Sequence, residues 1–353
     1  MRGYRYAIYV VAVTLAMLAG VELASHWYLA ARGVASPMFF DFGGRGVDLE
    51  HQPEGPKFST IDPHLGFTYG NDDDRIKKLS GQYTWVEGFL IYANDATSLQ
   101  RPIILALGGS TTDGILFGHS WPQELANILK QNNIPGTVIN GGIGGYSTNQ
   151  DLLKLVRDGL EFHPDLIISY AGINDRGDYG RLPYPMVHTY QRMLLERLTG
   201  RAPATVLPST MAMIKHLLTT DRAESPGYSL GMKTSRSLGE QYRKNIELMD
   251  AAATSQGASF DAFIQPFAFY RSKHGKTLDP RIKGADYIRE VLELYGQIVD
   301  LPKTHPYIHD ATLVLENASD VYKPDGVHLK IDGDKAIARY IFSVLAAKIR
   351  HPN

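Results

Sequence analysis

The sequence predicts an α/β fold in which a central, mainly parallel sheet is covered by helices on both faces, giving three α/β/α layers. From residue 101 onward, short apolar runs typical of buried strands alternate with longer segments whose apolar residues recur at helical spacing. Glycines and polar residues follow several of these runs, as is usual where parallel strands end. A separate apolar stretch at the N-terminus predicts one membrane helix ahead of this fold.

The alternation predicts four strands and five helices in chain order. The predicted strands are 103–107, 137–140, 165–170 and 259–264, and the predicted helices begin near residues 121, 151, 238, 287 and 334. Ser120 is expected to be the N-cap of the first of these helices, with Pro122 in its first turn and Gln123 placed for a capping box.

Composition excludes several classes of protein. The 353 residues include 44% hydrophobic and 21% charged residues, which is ordinary for a globular chain with a sizeable core. A formal net charge of −1 and the lack of a basic stripe argue against a nucleic-acid partner. The chain has no cysteine, which excludes disulfide scaffolds, thiolate zinc sites and cysteine nucleophiles.

The N-terminal segment predicts a signal-anchor. Arg2 and Arg5 precede an uncharged run, 7–21, that is shorter than the roughly 20 residues of a comfortable span. A cleaved signal peptide is the alternative, but cleavage after Ala24 would place Glu22 where a small residue is usual. The arginines predict a cytoplasmic N-terminus, so the rest of the chain is expected to be exported, periplasmic or extracellular.

The chain is therefore divided into an anchor, 1–30, a membrane-proximal extension that packs on the main domain, 31–100, and the main domain itself, 101–353. Within the extension, 83–92 is typical of strand material and 71–74 of a solvated acidic turn rather than a cation site. Residues 176–232 interrupt the strand–helix rhythm. They form an insertion expected to act as a lid or specificity element, with a helical piece at 190–198 and an apolar patch at 211–218.

Ser110 is the candidate nucleophile. It follows the predicted strand 103–107 and two glycines, which leave its hydroxyl uncrowded at the carboxyl end of a strand, where ligands bind in open α/β sheets. A serine needs a base, and that base needs an orienting group. Asp325 and His328, three residues apart in a loop before the last helix, can supply both. An ordinary strand-to-loop turn at Ser110 and a satisfied surface histidine at His328 are the alternatives.

Developing negative charge on an acyl oxygen also needs hydrogen-bond donors. The glycine loop, residues 141–145, offers an unhindered backbone N–H, and Asn174 offers a side-chain amide. Both follow predicted strands at the same edge of the sheet. Each signal is weak alone, and their order along the chain strengthens them.

The order and content of four blocks resemble the SGNH (GDSL-like) serine hydrolase superfamily over about residues 101–350, with 176–232 unmatched. The blocks are Gly108-Gly109-Ser110-Thr111, Asn140 to Gly145, Gly172-Ile173-Asn174-Asp175 and Asp325-Gly326-Val327-His328. The resemblance implies a flavodoxin-like fold with Ser110 as nucleophile, His328 as base and Asp325 as its orienter. It also implies an oxyanion hole formed by Ser110 N–H, Asn174 and Gly145, with Gly144 as the alternative glycine. Gly109 stands where the family often has an aspartate.

These residues predict hydrolysis of an acyl ester through an acyl-enzyme. The resemblance to exported members of the superfamily implies the substrate class, acyl and above all O-acetyl esters of a glycan or lipid. An O-acyltransferase acting on an envelope polysaccharide would use the same triad, and a catalytically idle glycan-binding or scaffold protein is a further alternative. No nucleotide or phosphate-loop motif is complete, and the histidines lack zinc spacing, so no cofactor and no metal are expected. The oligomeric state and acyl length do not follow from the sequence.

Overall fold

The computed structural model describes residues 2–31, 62, 64–65, 67–69, 76, 83–93, 99–176, 210, 213–214, 217, 236–270, 285–318 and 320–350. The chain forms two compact units. One comprises Met1–Gly55 and His188–Met232, and the other comprises Pro56–Val187 and Lys233–Asn353. The larger unit contains the sheet and all of the predicted site residues.

The larger unit is built on a seven-stranded sheet. Its strands are β1 (Thr84–Val86), β2 (Phe89–Tyr92), β3 (Ile103–Gly108), β4 (Thr137–Asn140), β5 (Leu166–Ala171), β6 (Ser259–Ile264) and β7 (Ile308–Asp310). Their order across the sheet is β1-β2-β4-β3-β5-β6-β7. The five strands from β3 to β7 are parallel, whereas β2 pairs antiparallel with both β1 and β4.

The strand order reverses at β3. From β3 the chain passes to β4 on one side and then to β5 on the other, with Leu105 paired to Ile139 and to Ile167. Such a reversal leaves a crevice at the carboxyl ends of the strands, where open α/β sheets bind their ligands. The loop that carries Ser110 begins at this point.

Helices cover both faces of the sheet. The helices of the larger unit are α2 (Trp121–Gln131), α3 (Thr148–Arg157), α4 (Leu238–Ser255), α5 (Ala285–Ile298) and α6 (Ile331–Arg350), and the smaller unit contains α1 (Arg2–Ala31). Along β3, Ile103, Leu105 and Leu107 pack in a core shared with α3, α4 and α5. Ile104 and Ala106 point to the opposite core, shared with α2 and α6, as the two-residue period of a strand requires. The predicted three-layer fold is confirmed.

The four predicted strands and five predicted helices are present, with ends shifted by a few residues. Among the described residues, the structure adds one unpredicted strand, β7, and divides the strand material predicted at 83–92 into two strands, β1 and β2. Thr84–Val86 and Phe89–Tyr92 form a hairpin that joins the sheet edge, so the sheet itself begins before residue 101. Strand Ile308–Asp310 was not predicted, because three residues are too few to display a period.

The predicted capping box of α2 is wrong. Ser120 occupies the N-cap position, but its buried side chain makes no capping hydrogen bond. Its hydroxyl instead lies 3.3 Å from Tyr92 Oη and accepts from Asn140 Nδ2 at 3.4 Å. Gln123 Nε2 donates to Tyr83 Oη at 2.6 Å. Tertiary partners on β2 and β4 therefore replace the local cap of Ser120.

The smaller unit contains the long apolar helix α1. Within it, Tyr9–Tyr28 is long and apolar enough to cross a membrane, with a mean hydropathy of 1.5, by a criterion that a signal sequence also meets. The helix continues through Glu22, which is buried and accepts from Thr210 N at 2.9 Å and Thr210 Oγ1 at 2.8 Å. Of the predicted insertion, the structure describes residues 176, 210, 213, 214 and 217. The predictions for 71–74 and 190–198 lie outside the described residues.

Candidate active site

Ser110 lies in a tight turn at the carboxyl end of β3. Gly109 O accepts from Thr112 N at 3.0 Å and from Asp113 N at 3.1 Å, which folds the chain back directly after the serine. Asn140 Nδ2, at the end of β4, donates to Thr112 O at 2.7 Å. The turn is thus tied to the neighbouring strand, and Ser110 remains partly exposed.

A chain of hydrogen bonds connects Ser110 to the loop between β7 and α6. Ser110 Oγ lies 2.8 Å from His328 Nε2, and His328 Nδ1 pairs with Asp325 Oδ2. Asp325 Oδ1 accepts from the backbone N–H groups of Val327 and His328, both at 3.0 Å. This turn holds the carboxylate against the imidazole, and the fold brings His328 to a serine that lies 218 positions earlier in the chain.

The electrostatics of this pair favour an ionised carboxylate. Burial by itself would raise the pKa of Asp325, but the hydrogen bond and positive charge of His328 and two backbone N–H groups hold that pKa well below its usual range. Phe117 packs edge-on against His328, with ring centroids 4.8 Å apart. An ionised aspartate on Nδ1 fixes which imidazole nitrogen faces the serine, so Nε2 can accept the hydroxyl proton.

The Asn174 side chain lies between the serine turn and the glycine loop. Its Nδ2 donates to Tyr146 O at 2.9 Å, which leaves its second N–H for another acceptor. A Cβ on Gly109 would stand 2.5 Å from this nitrogen. The lack of a side chain at Gly109 therefore provides the room in which the Asn174 amide lies.

The glycine loop is fastened to the end of β3 along its length. Gly141 N donates to Ala106 O at 2.8 Å, and Ile143 N donates to Gly108 O at 3.1 Å. Gly144 N donates to Asp113 Oδ2 at 2.9 Å. Gly145 is exposed and adopts a φ of +89°, in the left-handed region that favours glycine. Gly144 and Gly145 thus differ, because the N–H of Gly144 is already bound to a carboxylate.

A buried carboxylate also holds the turn that carries Asn174. Asp175 Oδ1 accepts from Thr148 N at 3.0 Å and pairs with Thr148 Oγ1, so it joins the turn after β5 to the first turn of α3. Burial raises the pKa of Asp175 to about 6 against these hydrogen bonds. Burial, with the nearby charge of Asp175, also raises the pKa of Asp151 on α3.

Sequence reasoning missed Asp113 and Tyr69. Asp113 is buried and accepts from Tyr69 Oη at 2.5 Å as well as from Gly144. The acidic residue three positions after a candidate nucleophile was a signal that could have been noted, whereas Tyr69 carried none. Among the residues that the structure describes, no group of three or more His, Asp or Glu side chains could hold a metal ion.

Comparison with known proteins gives a family match over most of the main domain. Residues 106–335 match the model of the GDSL-like Lipase/Acylhydrolase family. An arylesterase from Vibrio mimicus is 33% identical over 88 residues, which cover 24% of this chain and 44% of that protein. The chain thus spans less than half of the length of this relative.

Solved structures that align with the chain include a lipase/acylhydrolase and an acetylxylan esterase. A lipase/acylhydrolase from Enterococcus faecalis aligns with 15% identity and a TM-score of 0.41, over 71% of this chain and 98% of that one. A variant of an acetylxylan esterase from Geobacillus stearothermophilus aligns with 14% identity and a TM-score of 0.40, over 69% and 93%. The family model covers well over half of the residues, and on that match the chain belongs to the GDSL-like lipase/acylhydrolase family, a family of ester-hydrolysing enzymes.

Proposed function

We propose that this protein is a serine esterase in which Ser110 is the nucleophile, His328 the general base and Asp325 the residue that orients and stabilises the imidazole. The observation that carries the proposal is the hydrogen-bonded series from Ser110 Oγ through both nitrogens of His328 to Asp325, with 2.8 Å between Oγ and Nε2. That distance is within the range for proton transfer between a nucleophile and its base.

The reaction follows from this geometry in two steps. Ser110 Oγ attacks the acyl carbonyl carbon while His328 Nε2 takes the hydroxyl proton, and the same nitrogen then protonates the departing alcohol. This leaves an acyl-serine. Water replaces the alcohol, gives a proton to His328 and attacks the acyl carbon, after which the proton returns to Ser110 and the acid is released. Asp325 stabilises the imidazolium in both steps.

The oxyanion of each tetrahedral intermediate would be bound by the N–H groups of Ser110 and Gly145 and by the Asn174 amide. The assignment to Gly145 rather than Gly144 is supported by the hydrogen bond that already occupies Gly144 N. The contribution of Asn174 is supported by its place between Gly109 and Tyr146, the neighbours of the two backbone donors. One such donor is typically worth about 10²–10³ in kcat.

We further propose a membrane-bound, exported enzyme. Residues 1–30 would form a signal-anchor with a cytoplasmic N-terminus, and 31–100 a membrane-proximal extension. The main domain, 101–353 with its insertion 176–232, would then lie outside the cytoplasm. The apolar helix Tyr9–Tyr28 and the preceding arginines support this topology. The substrate class, acyl and above all O-acetyl esters of a glycan or lipid, rests on the resemblance to exported members of the superfamily.

The experiment that tests the activity compares full-length protein with its Ser110→Ala variant on p-nitrophenyl acetate in detergent. Ser343→Ala is a matched control, because that exposed hydroxyl bonds only locally, to Tyr340 O. We expect turnover by the parent and the control and a loss of at least about 10³-fold in Ser110→Ala. Intact-mass analysis should detect an acyl adduct in the parent and the control but not in Ser110→Ala.

Three results would contradict this function in different ways. Turnover in Ser110→Ala equal to that of the control would exclude Ser110 as nucleophile. An adduct that resists water and disappears only when a sugar hydroxyl is supplied would show acyl transfer in place of hydrolysis. The absence of both turnover and adduct in the parent would favour a catalytically idle protein.

A further inference from the structure

The carboxylate of Asp113 joins three parts of the chain around the proposed oxyanion hole. It lies three residues after Ser110, is fully buried, and accepts from Ile115 N and Leu116 N through Oδ1. Through Oδ2 it accepts from Gly144 N at 2.9 Å and from Tyr69 Oη at 2.5 Å. Four donors converge on a group that takes no part in the proposed proton transfer.

Tyr69 belongs to a set of three residues, which we call the bracing residues, that precede the family-matched region 106–335. They are Leu65, Phe67 and Tyr69, all buried. Each makes a hydrogen bond to Asp113, to the residue that follows the glycine loop, or to α3. Besides the Tyr69 bond to Asp113, Phe67 O accepts from Tyr146 Oη at 2.5 Å and Leu65 O accepts from Gln150 Nε2 at 3.0 Å.

These contacts hold the residues on either side of Gly145. Its predecessor Gly144 is held through Asp113, and its successor Tyr146 is held by Phe67 O and by an edge-on ring contact with Phe67, at 5.2 Å between centroids. The Phe67 ring also lies 3.6 Å from the position that a Cβ on Gly145 would occupy. Gly145 itself is an exposed glycine, which has the freest backbone of any residue type.

An oxyanion donor stabilises the transition state only if it is already aimed at the place where charge develops. A displacement of about 1 Å in a positioning group can lower a rate by about 10²-fold. A flexible glycine is therefore an effective donor only when its neighbours are fixed. The contacts of the bracing residues provide that fixation on both sides of Gly145.

We propose that Leu65, Phe67 and Tyr69 are positioning residues that hold the Gly145 N–H in place for the oxyanion, acting through Asp113 and Tyr146. The inference rests on the proposed function, because Gly145 is assigned there as a donor. It extends the proposed active site to residues that precede the family-matched region 106–335.

The test compares two tyrosine variants of the full-length protein. Tyr69→Phe removes only the hydroxyl that donates to Asp113. Tyr83→Phe is the matched control, because its hydroxyl accepts from Gln123 at the sheet edge. On p-nitrophenyl acetate we expect Tyr69→Phe to lower kcat about tenfold with KM within twofold, as for partial misplacement of one oxyanion donor. Tyr83→Phe should keep both constants within twofold.

A second variant and a second readout cover a failure to fold or a failure of the proposed function. Tyr146→Phe removes the hydroxyl that donates to Phe67 O and should lower kcat in the same way. Amide hydrogen exchange at 144–146 should be faster in Tyr69→Phe than in Tyr83→Phe, whether or not the parent turns over ester.

Three results would overturn the inference. One is a kcat for both Tyr69→Phe and Tyr146→Phe that matches the control, and another is a loss confined to KM. The third is unchanged exchange at 144–146 in Tyr69→Phe. Absence of Ser110-dependent turnover together with faster exchange would instead refute the proposed function and retain the bracing contacts.

Discussion

The carboxylates on the two sides of Ser110 differ in their exposure to solvent. On the side of His328, the Asp325 side chain is 21% exposed. On the side of the glycine loop, Asp113 and Asp175 are only 0% and 2% exposed. The environments shift their acidities in opposite directions. His328 and two backbone N–H groups outweigh burial and lower the pKa of Asp325. Burial outweighs the hydrogen bonds of Asp113 and Asp175 and raises their pKa values.

The difference follows from what each carboxylate does. Asp325 would stabilise a positive charge that appears and disappears during the reaction, so it must be ionised at neutral pH. Asp113 and Asp175 accept from backbone N–H groups that do not change during the reaction. A carboxyl group can accept such bonds in either protonation state, so burial there is compatible with its role.

The largest effect is expected on the His328 side. Asp325→Asn keeps the shape but removes the negative charge and the acceptor that selects the imidazole tautomer, so kcat should fall by about 10⁴-fold. Asp320→Asn is the matched control, because that carboxylate is 83% exposed in the same loop and pairs with Lys330. Steady-state kinetics on p-nitrophenyl acetate check both variants. A loss below tenfold in Asp325→Asn would show that the charge is not required.

An intermediate effect is expected from the proposed donor on the other side. Asn174→Ala should lower kcat by about 10²–10³-fold and change KM little, because an oxyanion contact is made in the transition state. The exposed Asn132, whose side chain donates to Ile128 O, provides the control Asn132→Ala. If Asn174→Ala raised KM with kcat unchanged, the amide would bind substrate rather than the oxyanion.

The smallest effect concerns stability. The pKa of Asp175 in the folded protein is about 6, above its ordinary value of 3.8, so between these values the folded state binds a proton that the unfolded state does not. Lowering the pH through this window stabilises the fold, and raising the pH above 6 removes that gain. Asp175→Asn lacks this titration.

Thermal unfolding of Asp175→Asn and the parent should therefore differ with pH. The quantity to compare is the free energy of unfolding of Asp175→Asn minus that of the parent. This difference should be larger at pH 7.5 than at pH 4.5 by roughly 1–3 kcal/mol, or a few degrees in Tm. Asp320→Asn, at an exposed carboxylate, is measured beside Asp175→Asn as the control. An equal difference between variant and parent at both pH values would mean that Asp175 titrates normally.

Local patterns were sufficient for most of the fold. The apolar runs at 103–107, 137–140 and 259–264 correspond to β3, β4 and β6. Nearly all residues of these strands are buried, as is usual where helices cover both faces of a parallel sheet. Short or context-dependent features were not predictable in this way. Strand Ile308–Asp310 has three residues, and the Ser120 side chain bonds to the sheet edge rather than to its own helix.

The sequence by itself determined the α/β class, the family and a set of candidate residues, namely Ser110, Asp325, His328, Asn174 and Gly145. These follow from the period of each strand and from the content and order of short motifs, which can be identified without knowing how the chain packs. Only the tertiary structure decided which of these groups meet. It placed His328 Nε2 2.8 Å from a serine 218 positions away and bound Gly144 N to Asp113, which leaves Gly145 as the candidate donor. It also brought Tyr69 against the same loop. Contacts between residues far apart in the chain depend on how strands and loops pack, and no local pattern records them.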